Sequence, residues 1–246
     1  MYSYPTGLIS YTIQSGDSLW SIAQRFHTTV QAIELENPGL IPGNLRIGQI
    51  IRIPAEYSQP SHSLTSPLDG SAQILSNHLR LLWEQHVYWT RMAILGIVFG
   101  LPDADRSAAR LLRNPKDFEA ALRPFYGGEI AAKFAELLTS HLTIAAELVS
   151  AAKAGDAVSA ADAENRWYLN ADQIAEFLSS INPYWPSSEW RRMLYDHLAM
   201  TKDEATALLT QRYEFSIGVF EAIEQEALLM ADRMTQGMIR QFSPHF

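Results

Sequence analysis

Along the first 55 residues the apolar positions change period twice. Ser10-Tyr11-Thr12-Ile13 alternates, as does Gln49-Ile50-Ile51-Arg52-Ile53, which Pro54 closes. A period of two over four or five residues predicts two short strands. Between them Leu19, Ile22, Ala23 and Phe26 fall at helical spacing behind Asp17 and Ser18, either of which can cap a first helix. Val30, Ile33 and Leu35 carry a second helix from about Thr29 to Glu36, stopped by Asn37-Pro38-Gly39. Strand, helix, helix, strand (βααβ) predicts a small two-layer α+β unit over residues 1–55. Residues 56–70, EYSQPSHSLTSPLDG, lose periodicity and are rich in Ser and Pro, so they read as a semi-extended linker in which His62 is a solvated side chain.

From residue 71 onward the period is 3.6, with almost no strand signal. One long helix spans about 72–99 and ends at Gly100-Leu101-Pro102; two shorter ones, 103–113 and 115–122, end at Pro124 and Gly127-Gly128. A second long helix, 129–153, has Gly155 just past its end as a C-terminal cap, and Asp156 caps a third that reaches about 181 before Asn182-Pro183-Tyr184-Trp185-Pro186. A helix over 188–200 leads to Thr201-Lys202-Asp203-Glu204, which reads as a capping box opening a last long helix. That helix carries the stripe Leu209, Tyr213, Ser216, Phe220, Ile223, Ala227, Met230, Met234 and Met238. Four long helices with short connections predict an all-α up-down bundle of the four-helix type over residues 71–246, and hence a multidomain chain.

Charge narrows the partners. The net charge is −8, and before residue 56 Asp17, Glu34 and Glu36 cancel Arg25, Arg46 and Arg52, so the whole excess lies in the remainder. An acidic body without a Lys/Arg stripe repels phosphate backbones and anionic surfaces, which argues against nucleic acid as a partner. The chain has no cysteine, which excludes disulfides and thiolate metal sites. The opening MYSYPTGLISYTI lacks a basic segment followed by an apolar one, and the longest apolar run, Met92 to Leu101, is about half a membrane span. The expectation is synthesis in the cytoplasm without a signal peptide, and no membrane insertion.

The segment YTIQSGDSLWSIAQRFHTTVQAIELENPGLIPGNLRIGQIIRIP resembles a LysM module over its full length. The likeness is carried by the Tyr11-Thr12-Ile13 strand, the Gly16-Asp17-Ser18-Leu19 turn, Ile22-Ala23, Asn37-Pro38, Leu45 with Ile47-Gly48-Gln49, and Ile51 to Pro54; Ser18 stands where the family usually has Thr. The resemblance implies a shallow glycan groove lined by Gly16, Asp17, Ser18 and Leu19 on one side and Gly39, Leu40, Ile41 and Pro42 on the other. It implies peptidoglycan or another N-acetylglucosamine polymer, such as chitin, as the partner. The body is similar, over about 81–242, to uncharacterised bundle domains of spore-forming bacteria through LWEQHVYWTR, HLTIAAELVSAAKAGD and NPYW, a likeness that transfers no activity. Together the two imply a glycan-anchored protein of the spore coat, cortex or cell envelope, whose body presents an interaction surface or self-associates.

Three histidines lie on apolar helix faces: His86 with Leu79, Leu82, Trp83 and Ala93; His141 with Leu137, Leu138, Ile144, Ala145 and Leu148; His197 with Met193, Leu194 and Met200. Asn170 shares a face with Trp167, Ile174 and Phe177, and Glu226 sits beside the last stripe. In an up-down bundle the helix midpoints share a height, which places His86, His141 and Asn170 in one central polar layer with Glu226 about one turn away. Two readings stay open. One is a polar network that fixes helix register. The other is a divalent metal or small-ligand site drawn from His86, His141, His197 and Glu226, usable in catalysis. The sequence has no Glu-x-x-His pair, no His-Glu-x-x-His and no Gly-x-Ser-x-Gly, and no catalytic residue can be named.

Overall fold

A computed structural model describes residues 8–14, 17, 19–26, 28, 30–38, 40, 45–54 and 70–246. The chain divides into two compact units, Met1–Pro67 and Leu68–Phe246. In the first, β1 (Leu8–Thr12) pairs antiparallel with β2 (Ile50–Pro54), Leu8 opposite Pro54 and Thr12 opposite Ile50. The strand begins two residues before the alternating run because Leu8 and Ile9 continue the ladder. Between the strands lie α1 (Leu19–Arg25) and α2 (Val30–Glu36). Ile13, Leu19, Ile22, Ala23, Ile33, Ile51 and Ile53 form one buried cluster, so the two helices close over one face of the two-stranded sheet. Asn37 ties the layers together. Its amide donates to the carbonyls of Ile33 and Arg52, and its oxygen accepts from the Arg52 N–H, so the residue that stops α2 also pins β2.

The second unit consists of α3 (Gly70–Phe99), α4 (Ala104–Leu111), α5 (Asn114–Tyr126), α6 (Gly128–Ala154), α7 (Ala157–Ile181), α8 (Ser187–Leu209) and α9 (Tyr213–Gln241). Five of these helices are long, where the sequence pattern predicts four. The difference lies at residues 201–204, which are inside α8 instead of opening a new helix. Thr201 Oγ1 donates to the His197 carbonyl one turn back, and Glu204 is buried in an ion pair with Arg91 of α3. Both capping-box side chains are committed elsewhere, so nothing interrupts the helix there.

The seven helices are three hairpins in a ring. Within hairpins α3 packs on α4 and α5, α6 on α7, and α8 on α9; between hairpins α5 packs on α6, α7 on α8, and α9 returns to α3. The first helices of the hairpins, α3, α6 and α8, stand inside, with α3 touching both others. Their register repeats. His86, His141 and His197 follow one another at 55 and 56 residues, and Asn114, Asn170 and Glu226 at 56 and 56. Fourteen residues after each histidine the inner helix ends on a left-handed residue: Gly100 at φ 64°, Gly155 at φ 73° and Gln211 at φ 59°. The next N–H in each case bonds back five residues, Leu101 to Gly96, Asp156 to Ala151 and Arg212 to Ala207. Equivalent positions thus adopt equivalent backbone, as internal repeats do.

Candidate functional site

In the first unit the described part of the implied groove is held from beneath. Asp17 Oδ2 accepts from the Tyr11 hydroxyl at 2.7 Å and from the Gln14 N–H at 2.7 Å, while Arg25 donates to Tyr11 Oη and to Asp17 Oδ1. Burial works to raise the Asp17 pKa, but the bonds from Tyr11 and Gln14 and the Arg25 charge together outweigh it, and the carboxyl sits below its ordinary value. Its side chain is only 4% exposed. The Asp17 carboxylate therefore braces the turn. Leu19 is also internal, 3% exposed within the cluster of Ile13 and Ile22, and Leu40 is half-buried against the same cluster. Of the implied groove residues these three are placed; Gly16, Ser18, Gly39, Ile41 and Pro42 lie outside the described residues. The side chains of Asp17 and Leu19 thus face the interior of the module.

In the second unit the three buried histidines converge. The His86 ring centre lies 6.4 Å from that of His141 and 5.9 Å from that of His197. Each histidine is held by the second helix of its own hairpin: His86 Nδ1 lies 3.1 Å from Asn114 Oδ1, His141 Nδ1 2.9 Å from Asn170 Oδ1, and His197 Nδ1 3.2 Å from Glu226 Oε2. The partners are 28, 29 and 29 residues downstream, the length of one inner helix and its return. The structure thus brings together His86, His141 and Asn170, with His197 and Glu226 in the same layer. Asn114, fully buried, completes it. Asn114 is not evident on a helix face because it opens α5 between Arg113 and Pro115, where the local sequence reads as a turn. The 56-residue spacing from Asn170 is the signal that finds it.

The amides fix the tautomers. Asn114 Nδ2 donates to the Leu82 carbonyl and Asn170 Nδ2 to the Leu137 carbonyl, each four residues before the histidine of its hairpin. With the NH2 groups so engaged, the amide oxygens face the rings, and an oxygen only accepts. His86 and His141 therefore carry their proton on Nδ1, and Nε2 keeps a lone pair. Burial, with the neighbouring imidazoles, holds His86 and His141 down to about 3; burial holds His197 down to about 4. All three are neutral at pH 7.

Glu226 is the exception in kind. Burial holds its carboxyl well above the ordinary range, against the pull of Arg192, and Oε1 is buried without a hydrogen bond. In the other hairpins the corresponding atom is the amide nitrogen that donates to the inner helix. A protonated carboxylic acid shares the amide's complement of an accepting oxygen, for His197 Nδ1–H, and a donor on the other atom; a carboxylate has no donor.

Chemically the layer is a neutral polar network. Imidazoles held down to about 3 and 4 are weak bases, which disfavours acid–base catalysis. Among the described residues no group of three or more His, Asp or Glu is placed to hold a metal ion, so the geometry does not favour the metal reading of His86, His141, His197 and Glu226. The Nδ1 atoms are taken by their hairpin partners, and Glu226 is engaged with His197.

The LysM domain family matches residues 11–54. A secreted LysM effector of Colletotrichum higginsianum is 42% identical over 48 residues, 20% of this chain and 27% of that protein. A probable autolysin of Staphylococcus aureus is 44% identical over 63 residues, 25% of this chain and 23% of that protein. Intracellular hyphae protein 1 of Colletotrichum lindemuthianum is 43% identical over 44 residues, 18% and 19% of the two chains. The chain thus spans about a quarter or less of the length of these curated relatives. No solved structure matches it. Among the described residues no helix is long and apolar enough to cross a membrane.

Proposed function

With a LysM domain at residues 11–54 followed by an all-helical region as the premise, we propose that the chain attaches through this domain to a polymer of N-acetylglucosamine, peptidoglycan or chitin, and that the helical body is a structural or interaction domain carried on that anchor. The observation that carries the reading is the family match over the whole βααβ unit. It is supported by the bracing of its first turn through Tyr11, Asp17 and Arg25, which holds backbone groups in place for N-acetyl recognition. The names of the relatives, an autolysin and a LysM effector, agree with a wall or chitin target. Peptidoglycan of a spore coat, cortex or cell envelope is the finer reading; it rests on the likeness of the body to domains of spore-forming bacteria.

Co-sedimentation of the full chain with insoluble peptidoglycan and with chitin tests the assignment. The chain is expected to sediment with at least one of them, and Ile41→Asp, which puts a charge on the implied groove, is expected to weaken retention tenfold or more with unchanged helical circular dichroism. Leu19→Asp is unsuitable as a groove probe because Leu19 is in the core. Retention of residues 70–246 alone at the level of the full chain would overturn the assignment.

A further inference from the structure

The three inner helices do not fill their shared interior evenly. Before the histidines it is occupied by large side chains: Leu79, Phe134 and Trp190 seven residues earlier, Trp83, Leu138 and Leu194 three earlier, all buried. After the histidines the same helices supply smaller ones. Thr90, Ala145 and Thr201 stand four residues on, and Ile94, Val149 and Ala205 eight on. These six line a cavity of about 290 Å³, completed by α7 through Ala160, Ala161 and Trp167. The hydroxyls of Thr90 and Thr201 are engaged by the carbonyls of His86 and His197, which leaves their methyl groups for the wall. Polar side chains are few: Lys202 and Glu164 also line the cavity, partly exposed and paired with each other at 2.5 Å.

Native cores rarely leave voids much larger than a water molecule. This one is about twice the ~150 Å³ of an apolar cavity that stays dry and admits benzene, which makes room for on the order of ten non-hydrogen atoms. It is elongated, since its wall on α3 runs from Thr90 to Ile97, a rise of about 10 Å. An apolar shaft of that length, with one ion pair at its exposed edge and uncharged imidazoles beyond its inner end, matches a linear hydrocarbon with a polar head. We propose that the shaft binds a single aliphatic chain of about ten carbons, its head at the Lys202–Glu164 pair and its tail directed away from the histidine layer, toward Ile97 and Leu209. The proposal stands apart from the glycan reading, which concerns the other unit.

Titration of the full chain with decanol and with sodium decanoate, below their aggregation limits, tests it by calorimetry and tryptophan fluorescence. Trp167 is the reporter, being on the cavity wall with its indole N–H buried and unpartnered. Saturable binding of one molecule per chain is expected for at least one of the two. Decanoate alone assigns the head to Lys202, decanol alone assigns an uncharged head, and either result supports the shaft. Hexanol should bind at least tenfold more weakly than decanol if decanol binds, and hexanoate likewise relative to decanoate. Ala205→Phe should reduce binding tenfold or more while keeping the helical circular dichroism, and Ala145→Leu serves if that variant does not fold. No saturable signal with either probe, or equal binding by a folded cavity-filled variant, would overturn the proposal.

Discussion

Glu226 stands where the other two hairpins place asparagine, and the substitution has a measurable cost. Glu226→Gln supplies an amide that can accept from His197 Nδ1–H and donate to the inner helix without a borrowed proton. We expect it to stabilise the body by about 1 kcal/mol at pH 7. The pH dependence separates the contributions. His86, His141 and His197 have folded values of about 3, 3 and 4, below their unfolded value, so their contribution is complete above about pH 6.5. It is lost as pH falls, by about 1.4 kcal/mol per pH unit for each histidine. Glu204, raised to about 7 by burial despite Arg91, and Glu226, also raised by burial, have the opposite sign. Their contribution is complete below about pH 4.5 and is lost as pH rises through their folded values. The two sets oppose each other between pH 4.5 and 6.5. Removing Glu226 should therefore steepen the rise in stability between pH 4.5 and 6.5. Urea titrations from pH 4.5 to 9 measure this, and identical pH profiles for the two proteins would refute the protonated-acid assignment. At this scale the sequence showed the three histidines, because polar residues on apolar faces stand out, and put Leu19 on an apolar helix face, but not that the Asp17 carboxylate braces the module from inside. A groove residue and a supporting residue occupy the same turn, and only packing distinguishes them.

At the scale of elements, the ends of α3 and α6 were legible because glycine marks them, and the end of α8 was not. Gln211 adopts the left-handed conformation that Gly100 and Gly155 adopt, at φ 59°. A residue with a Cβ is strained there by about 1 kcal/mol or more. Gln211→Gly is therefore expected to raise the thermal midpoint by about 2–4 °C for a domain of this size, read by circular dichroism at 222 nm. An unchanged or lowered midpoint would show that the Gln211 side chain compensates. The same blind spot explains the helix count. Without a glycine at 211, the Thr201-x-x-Glu204 signal looked like a boundary, yet in the fold Arg91 and the His197 carbonyl claim both side chains. The NPYW segment was read correctly as a break, but its reason is tertiary: Asn182 donates to Tyr126, and Trp185 donates to the Arg233 carbonyl across Gly237, where a Cβ would come within 1.9 Å of the indole nitrogen.

At the scale of the molecule, the division after residue 67 and the closed ring of hairpins predict that residues 70–246 fold alone. The fragment should be highly helical and unfold cooperatively near the midpoint of the helical transition in the full chain; a largely disordered spectrum would count against it. Order and class of the elements could be read from periodicity, whereas the ring could not, because no helix face announces which of six neighbours it meets. The spacing of about 56 residues was in the sequence throughout, masked by low identity between copies. That spacing aligns the three hairpins position by position within one chain. Where all three agree, as at the histidines, each hairpin contributes the same group to the shared layer. Glu226 and Gln211 both fall in the third hairpin, so Glu226→Gln together with Gln211→Gly would give it the polar layer and the helix end of the other two.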